Sequence, residues 1–158
     1  MAFTAYISIK GQKQGQFAGD GSDKHNANRI RMVGFWFSGE SPRDVATGQA
    51  SGKRQYHPIL IRKSWGEASP QTYQAFATNE ILTSVLIEFI ATNPQGLDQV
   101  DHSFSLTNAS ISAVRELTES TPPTYDSEDL EELSFTFQKI EIKDKSGKVF
   151  VDNWTAVS

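Results

Sequence analysis

The chain contains no cysteine, which excludes both a disulfide framework and a thiolate zinc site. It also lacks a surplus of basic residues. Fifteen Lys and Arg stand against nineteen Asp and Glu, for a net charge of −4 and a pI near 5.3. No stretch gathers cations into a stripe, so a nucleic-acid surface built on phosphate contacts has no footprint here. Long apolar runs are missing too. The longest, Val85-Leu86-Ile87 and Phe89-Ile90-Ala91, are split by Glu88 and fall short of the roughly 20 residues a membrane helix needs, so no membrane insertion is expected. The opening Met1-Ala2-Phe3-Thr4-Ala5-Tyr6 has neither a charged n-region nor an apolar h-region. It reads as the start of a strand and not as a cleavable export signal, which implies a chain made and folded in the cytoplasm.

What remains is enough to fold without a staple. At 158 residues the chain reads as one domain, residues 1–158, able to remove roughly two-thirds of its unfolded surface from water. Hydrophobic residues at 37% and aromatics at 11% are too many for a disordered chain. Period-two alternation dominates, the pattern of strands with one wet and one dry face. Phe3, Ala5, Ile7 and Ile9 share one side of a first strand. Further strands are expected from Ile30 to Phe37, from Ile59 to Arg62 and from Ser84 to Ala91, the last with Val85, Ile87 and Phe89 on one face. Ser103 to Thr107 and Ser110 to Leu117, joined by Asn108-Ala109, read as a hairpin. Near the C-terminus, Leu133, Phe135 and Phe137 lie on one face and Ile140 and Ile142 on the other, so a β-bulge near Gln138-Lys139 is expected. Asp144-Lys145-Ser146-Gly147 has turn composition and leads into a final strand, Val149 to Trp154.

One segment breaks the alternation. Ser69-Pro70 offers an N-cap followed by proline, Tyr73, Phe76 and Ala77 recur at helical spacing, and Asn79 ends the run. A single short helix is expected, with Tyr73, Phe76 and Ala77 facing the sheets. Three long connections separate the elements: Gly11 to Asn28, Ser38 to Gln55, and Glu119 to Glu132 with Thr121-Pro122-Pro123. Loops of that length in a compact domain are often functional.

No motif for chemistry stands out. Gly48-Gln49-Ala50-Ser51-Gly52-Lys53-Arg54 approaches a phosphate loop, but its glycines are one residue too close and Arg54 replaces the magnesium-binding Ser or Thr. His25, His57 and His102 have no second ligand at metal spacing, and read as solvent-facing or hydrogen-bonded. There is no Gly-x-Ser-x-Gly elbow. Asp126, Glu128, Asp129, Glu131 and Glu132 crowd one polar stretch and read as a solvated acidic run, since an acid and base pair needs two different environments. Trp36, Trp65 and Trp154 read as core or as subunit contact. No catalytic residue, cofactor or metal is therefore expected.

The same residues, taken in order, carry a resemblance. Ala5-Tyr6-Ile7-Ser8-Ile9 with Gly11, Gly21-Ser22-Asp23-Lys24-His25, Ala46-Thr47-Gly48 through Gly52-Lys53, Ala68-Ser69-Pro70 with Ala75-Phe76-Ala77-Thr78, Leu106 to Ser112, and Glu132 to Glu141 together resemble the haemolysin-coregulated protein family, the inner tube of type VI secretion machines. The resemblance spans nearly the whole chain. Lys13-Gln14-Gly15-Gln16-Phe17-Ala18 departs from it by being longer than the usual turn. The resemblance implies a mainly β fold, two antiparallel sheets packed as a compact barrel with one flanking α-helix. It further implies a homohexameric ring, stacking into a tube, contacts with spike and sheath proteins, small effectors in the lumen, and secretion through the type VI machine without a signal peptide.

Head-to-tail contacts between identical subunits close rings, and the same logic along the axis stacks them. Exposed sheet edges favour such contacts. The axial contact is expected at the Ser41 to Arg54 loop, with Ser41, Arg43, Asp44, Thr47, Gly48, Gln49, Ser51, Lys53 and Arg54 as candidates, because it offers both charge signs to an adjoining ring. The rival reading is a monomeric β-barrel that carries a small ligand. An enzymatic effector domain ranks below both, for want of a catalytic set.

Overall fold

The computed structural model describes residues 4–19, 28–119 and 128–155, with backbone alone at Glu119 and Glu128. The motif Gly21 to His25, the Thr121-Pro122-Pro123 segment, Asp126 and Phe3 lie outside the described residues. The elements are β1 (Thr4–Gly11), β2 (Gly15–Gln16), β3 (Ile30–Trp36), β4 (Gly39–Glu40), β5 (Gln55–Tyr56), β6 (Ile59–Ser64), α1 (Ser69–Thr78), β7 (Leu82–Thr92), β8 (Asp98–Glu119), β9 (Glu128–Thr136), β10 (Lys139–Asp144) and β11 (Val149–Asn153).

The strand order β11-β10-β8-β7-β1-β3-β6-β9 closes when β9 returns to β8. Six antiparallel strands, β8-β7-β1-β3-β6-β9, thus form a barrel with β10 and β11 continuing from its wall. The compact barrel that the resemblance implies is present: β8 joins the two sides of its wall into one closed sheet, and β4 and β5 form a second, small sheet. The first half of β8 pairs with β7 and β10 and its second half with β9. Alternation explains the core: Ile7 and Ile9, Ile59 and Ile61, Val85 and Ile87, and Leu133 and Phe135 are all at most 1% exposed. In β3 the phase switches at a bulge between Met32 and Gly34, which turns Phe35 toward the core and leaves Trp36 half exposed.

Several local expectations need correction. Asn108-Ala109 is not a hairpin turn: β8 runs through it as one 22-residue strand. Asn108 takes φ 51°, a left-handed conformation that asparagine tolerates, and so supplies a bend where a turn was expected. Opposite it, the chain breaks at Phe137 and Gln138 between β9 and β10. The Asn108 amide donates to Gln138 Oε1 at 2.7 Å, so the expected bulge is a corner shared by two strands. Phe137 and Ile140 are both buried, as the phase slip required.

The helix ends as the sequence implies, with Asn79 as a left-handed C-cap at φ 53°, and Pro70 lies in its first turn; the N-cap, however, is Ala68 and not Ser69, which is already helical, and no side-chain cap bond is made. Its facing is the reverse. Ser69, Thr72 and Ala75 are buried, whereas Tyr73 and Phe76 are exposed. The reason lies in the barrel end it covers. Lys63 continues the inward phase of Ile59 and Ile61, and Glu131 that of Leu133 and Phe135. These two charges, both fully buried, meet at 3.2 Å. Ser69 Oγ donates to Glu131 at 2.6 Å and accepts from Lys63 Nζ at 3.1 Å, and Thr72 Oγ1 lies 2.7 Å from Glu131. A buried ion pair needs its remaining hydrogen-bonding capacity satisfied, and small hydroxyl side chains at a close-packed helix do that. Glu131 and Glu132 are therefore not part of a solvated run. Glu132 is 8% exposed and faces Arg62 and Arg115, each at 3.7 Å.

Two of the long connections carry β structure in their described residues. In the first, Gly11 closes β1, residues 12–14 turn, and β2 folds back on β1. In the second, β4 and β5 pair and an isolated bridge joins Arg43 to Ala50. The stretch read as a loop is an ordered β-hairpin arm.

Candidate assembly surface

The arm leaves the barrel after Phe37 and returns at Tyr56, and its tip is held by its own backbone. Asp44 N–H donates to the Gln49 carbonyl at 2.8 Å, Gly48 N–H to the Asp44 carbonyl at 2.8 Å, and Ser51 N–H to the Pro42 carbonyl at 2.9 Å. Asp44 Oδ1 accepts from Ala46 N–H at 2.7 Å, an Asx turn. Gly48 sits at φ 73°, where a side chain would be strained. The arm is thus rigid at its end without packing on anything: Ser41, Arg43, Asp44, Thr47, Gly48, Gln49, Ser51 and Lys53 are all exposed, and Val45 is 103% exposed.

Eight of the nine candidate residues are brought together on this projection. Arg54 is not among them. It is half-buried and turns back on the barrel, its Nε and Nη2 forking onto Asp152 of β11, with Nη2 at 2.7 Å. Nη2 also donates to the Asn153 carbonyl at 2.7 Å. The Tyr56 hydroxyl donates to the same carboxylate. These bonds hold the Asp152 carboxyl well below the usual carboxylate value of 3.8, at about 2, the Arg54 fork being the largest cause. The same fork raises Arg54 further, and Tyr56 is raised chiefly by burial.

Below this fork lies an aromatic cluster at the root of the arm. Tyr56 stacks on Phe37 with ring centroids 5.8 Å apart and packs against Phe137 and Trp154. Trp154 is therefore packed against the core, whereas Trp36 and Trp65 are about half exposed, with the Arg62 guanidinium lying over the Trp36 ring. A cleft of about 460 Å³ opens beside the root, with Lys53, His57 and Trp154 on its walls. His57 Nε2 faces Glu40 at 3.6 Å, and His102 bonds Asp101 at 2.8 Å and stacks on Phe89. The stretch Gly48 to Arg54 is the descending side of the arm, not a helix-capping phosphate loop.

Asp152 and Tyr56 were not legible as site residues. Asp152 is 98 positions from Arg54, and only the polar interruption of Val149-Phe150-Val151 marks it. A second exposed feature is that same strand. Val149, Phe150 and Val151 are each about half exposed, and β11 ends the strand order, so its outer edge is unpaired among the described residues.

The family model for the type VI secretion system effector Hcp matches residues 6–143. The chain belongs to the Hcp family. It is 29% identical over 169 residues to the major exported protein of Pseudomonas aeruginosa, an alignment covering 98% of this chain and 96% of that one. Among solved structures it superposes on a crystal structure of an Hcp protein with a TM-score of 0.91 at 21% identity, covering 99% of this chain and 100% of that one. It superposes on the secreted protein Hcp3 of Pseudomonas aeruginosa with a TM-score of 0.77 at 25% identity, covering 98% and 100%. As a member of the Hcp family, the chain is a secreted structural protein of type VI secretion and not an enzyme. No helix among the described residues is long and apolar enough to cross a membrane.

Proposed function

We propose that this Hcp protein assembles in the cytoplasm as a homohexameric ring whose copies stack into the type VI inner tube, with the 41–53 arm as the axial contact. Spike and sheath proteins are its partners in the machine, and small effectors travel in the lumen. The observation that carries the axial assignment is an ordered hairpin with nothing of its own chain against it. Fixing backbone costs about 1–2 kcal/mol per residue, and Arg43, Asp44, Val45 and Lys53 recover none of that by burial in the isolated subunit. Both charge signs on the tip suit a contact whose register is set electrostatically.

The rival ligand-carrying barrel loses support from the interior. Ile7, Ile59, Ile61, Val85, Ile87, Leu106, Leu133 and Phe135 are fully buried in it, the side-chain filling of a small barrel with a packed core.

The test is to delete residues 41–53 and join Glu40 to Arg54, so that Arg54 keeps its place on the barrel. Six-fold annuli in electron micrographs are expected to persist, while tubes at high protein concentration and export from cells are lost. Tubes that still form from the shortened chain would remove the arm from the axial contact. A lone protomer in native mass spectrometry of the parent protein would remove the ring itself.

A further inference from the structure

The arm's contacts with the barrel are concentrated at its root. The β4–β5 pairing is only two residues long, Gly39 with Tyr56 and Glu40 with Gln55, too little to fix a lever against the barrel. Against that stand the interactions of one carboxylate. Asp152 accepts from Arg54 through both oxygens, from the Tyr56 hydroxyl, and from the Asn153 N–H at 2.9 Å. Its side chain is 17% exposed and that of Arg54 23%, so water competes weakly. A guanidinium fork on a carboxylate fixes orientation as well as distance, because two parallel bonds allow no swivel. The Arg54 guanidinium also lies over the Tyr56 ring, its Cζ 5.7 Å from the centroid, which adds a third restraint. Strand β5 of the arm is thereby bolted to strand β11 of the barrel wall.

We propose that Asp152, through Arg54 and Tyr56, is a positioning latch that sets the angle at which the arm leaves the barrel, so that a second copy of this chain meets a preaimed lever. The inference rests on the reading of the arm as the axial contact. Pre-orientation matters for stacking because a hairpin free to swing would lose that freedom on every contact, and the six arms of a ring would each pay it. None of the three residues has to touch the neighbouring copy for the latch to act.

The cysteine-free chain allows spin labels at Val45→Cys on the arm tip and Ala113→Cys on the exposed face of β8, diluted into unlabelled protein so that only distances within one subunit are read. The parent is expected to give one narrow distance. Asp152→Asn, which keeps the shape and removes the charge, and Arg54→Lys, which keeps the charge and cannot fork, are expected to lose that narrow peak while rings and the thermal melt of the barrel persist. Tyr56→Phe, missing one bond of the latch, is expected to broaden the peak less. Sedimentation of tubes is measured on the same variants, and loss of tubes alongside the lost peak supports the proposal. A narrow distance retained in both Asp152→Asn and Arg54→Lys overturns the latch whatever the tubes do. A broadened distance with undiminished tubes overturns the link to stacking while leaving the mechanical role of Asp152 in place; the axial reading itself falls only if the chain shortened by 41–53 still forms tubes. Because Arg54→Lys alters a side chain at the surface of the barrel, it keeps the test decisive if Asp152→Asn does not fold.

Discussion

Two glycine-rich connections that look alike in the sequence have opposite fates in the fold. The hairpin following β1 lies against the barrel, and the arm between β3 and β6 stands away from it. The difference is supplied by residues far along the chain. Glu80, 5% exposed, accepts the N–H groups of Lys13 and Gln14 at 3.1 and 3.0 Å. Gly11 leaves room for that carboxylate, since a Cβ there would stand 2.1 Å from Glu80 Oε2. Gln71 of the helix bonds Ala18 N–H at 2.8 Å and its carbonyl accepts from the Gln14 amide at 3.0 Å, and Phe17 is sunk into the core at 1% exposure. The turn Lys13 to Ala18 is thus packed down onto α1. Among the described residues the arm's ties to the barrel are gathered at its root, the fork on Asp152 and the packing of Tyr56 on Phe37, Phe137 and Trp154. Composition shows that a loop is long and pliant; only the partners waiting for it show whether it folds down or reaches out.

The contrast can be broken most forcefully at Phe17. Phe17→Ala is expected to cost about 3–5 kcal/mol by the lost burial and the cavity left behind, whereas Val45→Ala on the arm should stay within about 0.5 kcal/mol. Urea unfolding at one fixed protein concentration measures both, since association would otherwise shift the midpoints. Equal losses at the two sites would mean that the arm, too, is packed in the subunit. A middle-sized effect is expected at Glu80. Glu80→Ala strands two partly buried backbone N–H groups, at a cost of about 1–3 kcal/mol, and should raise amide hydrogen exchange at Lys13 and Gln14 without altering exchange in the arm. Unchanged protection of those two amides would show that the β1–β2 pairing alone holds the turn.

How much of this was readable beforehand depends on whether the signal was local. Alternation located β1, β3, β6 and β7, and Pro70 and Asn79 bracketed the helix, because strand period and helix termini are set by near neighbours. The helix facing was misread because aromatic residues at helical spacing normally mark the buried side. Here the surface beneath is an ion pair, and it selects Ser69 and Thr72. A clue was present. Lys63 keeps the phase of Ile59 and Ile61, and Glu131 that of Leu133 and Phe135, so strict alternation would have put both charges inside. Asn108 misled for a different reason: a residue that tolerates left-handed backbone serves a tight turn or a bend in a continuous strand equally well. For the arm, sequence marked the tip, but Asp152 could not be paired with Arg54 without the register Ile140↔Asp152 that places it.

The finest distinction between the two segments concerns acid. The fork holds Asp152 ionised down to about pH 2, compared with 3.8 for an unperturbed aspartate. A carboxylate depressed in the folded state contributes fully above its unfolded value, and that contribution is lost as pH falls through the folded one. Between pH 7 and pH 4 the root of the arm should therefore stay fixed, and the spin-label distance from Val45→Cys to Ala113→Cys should not change; release is expected only below about pH 3, approaching the value near 2. Tubes that come apart between pH 7 and pH 4 while that distance holds would place the acid-sensitive contact elsewhere than at the root of the arm. A distance that broadens already at pH 5 would mean that the guanidinium fork is weaker in solution than its geometry implies, leaving the β4–β5 pairing and the packing of Tyr56 on Phe37, Phe137 and Trp154 to hold the arm.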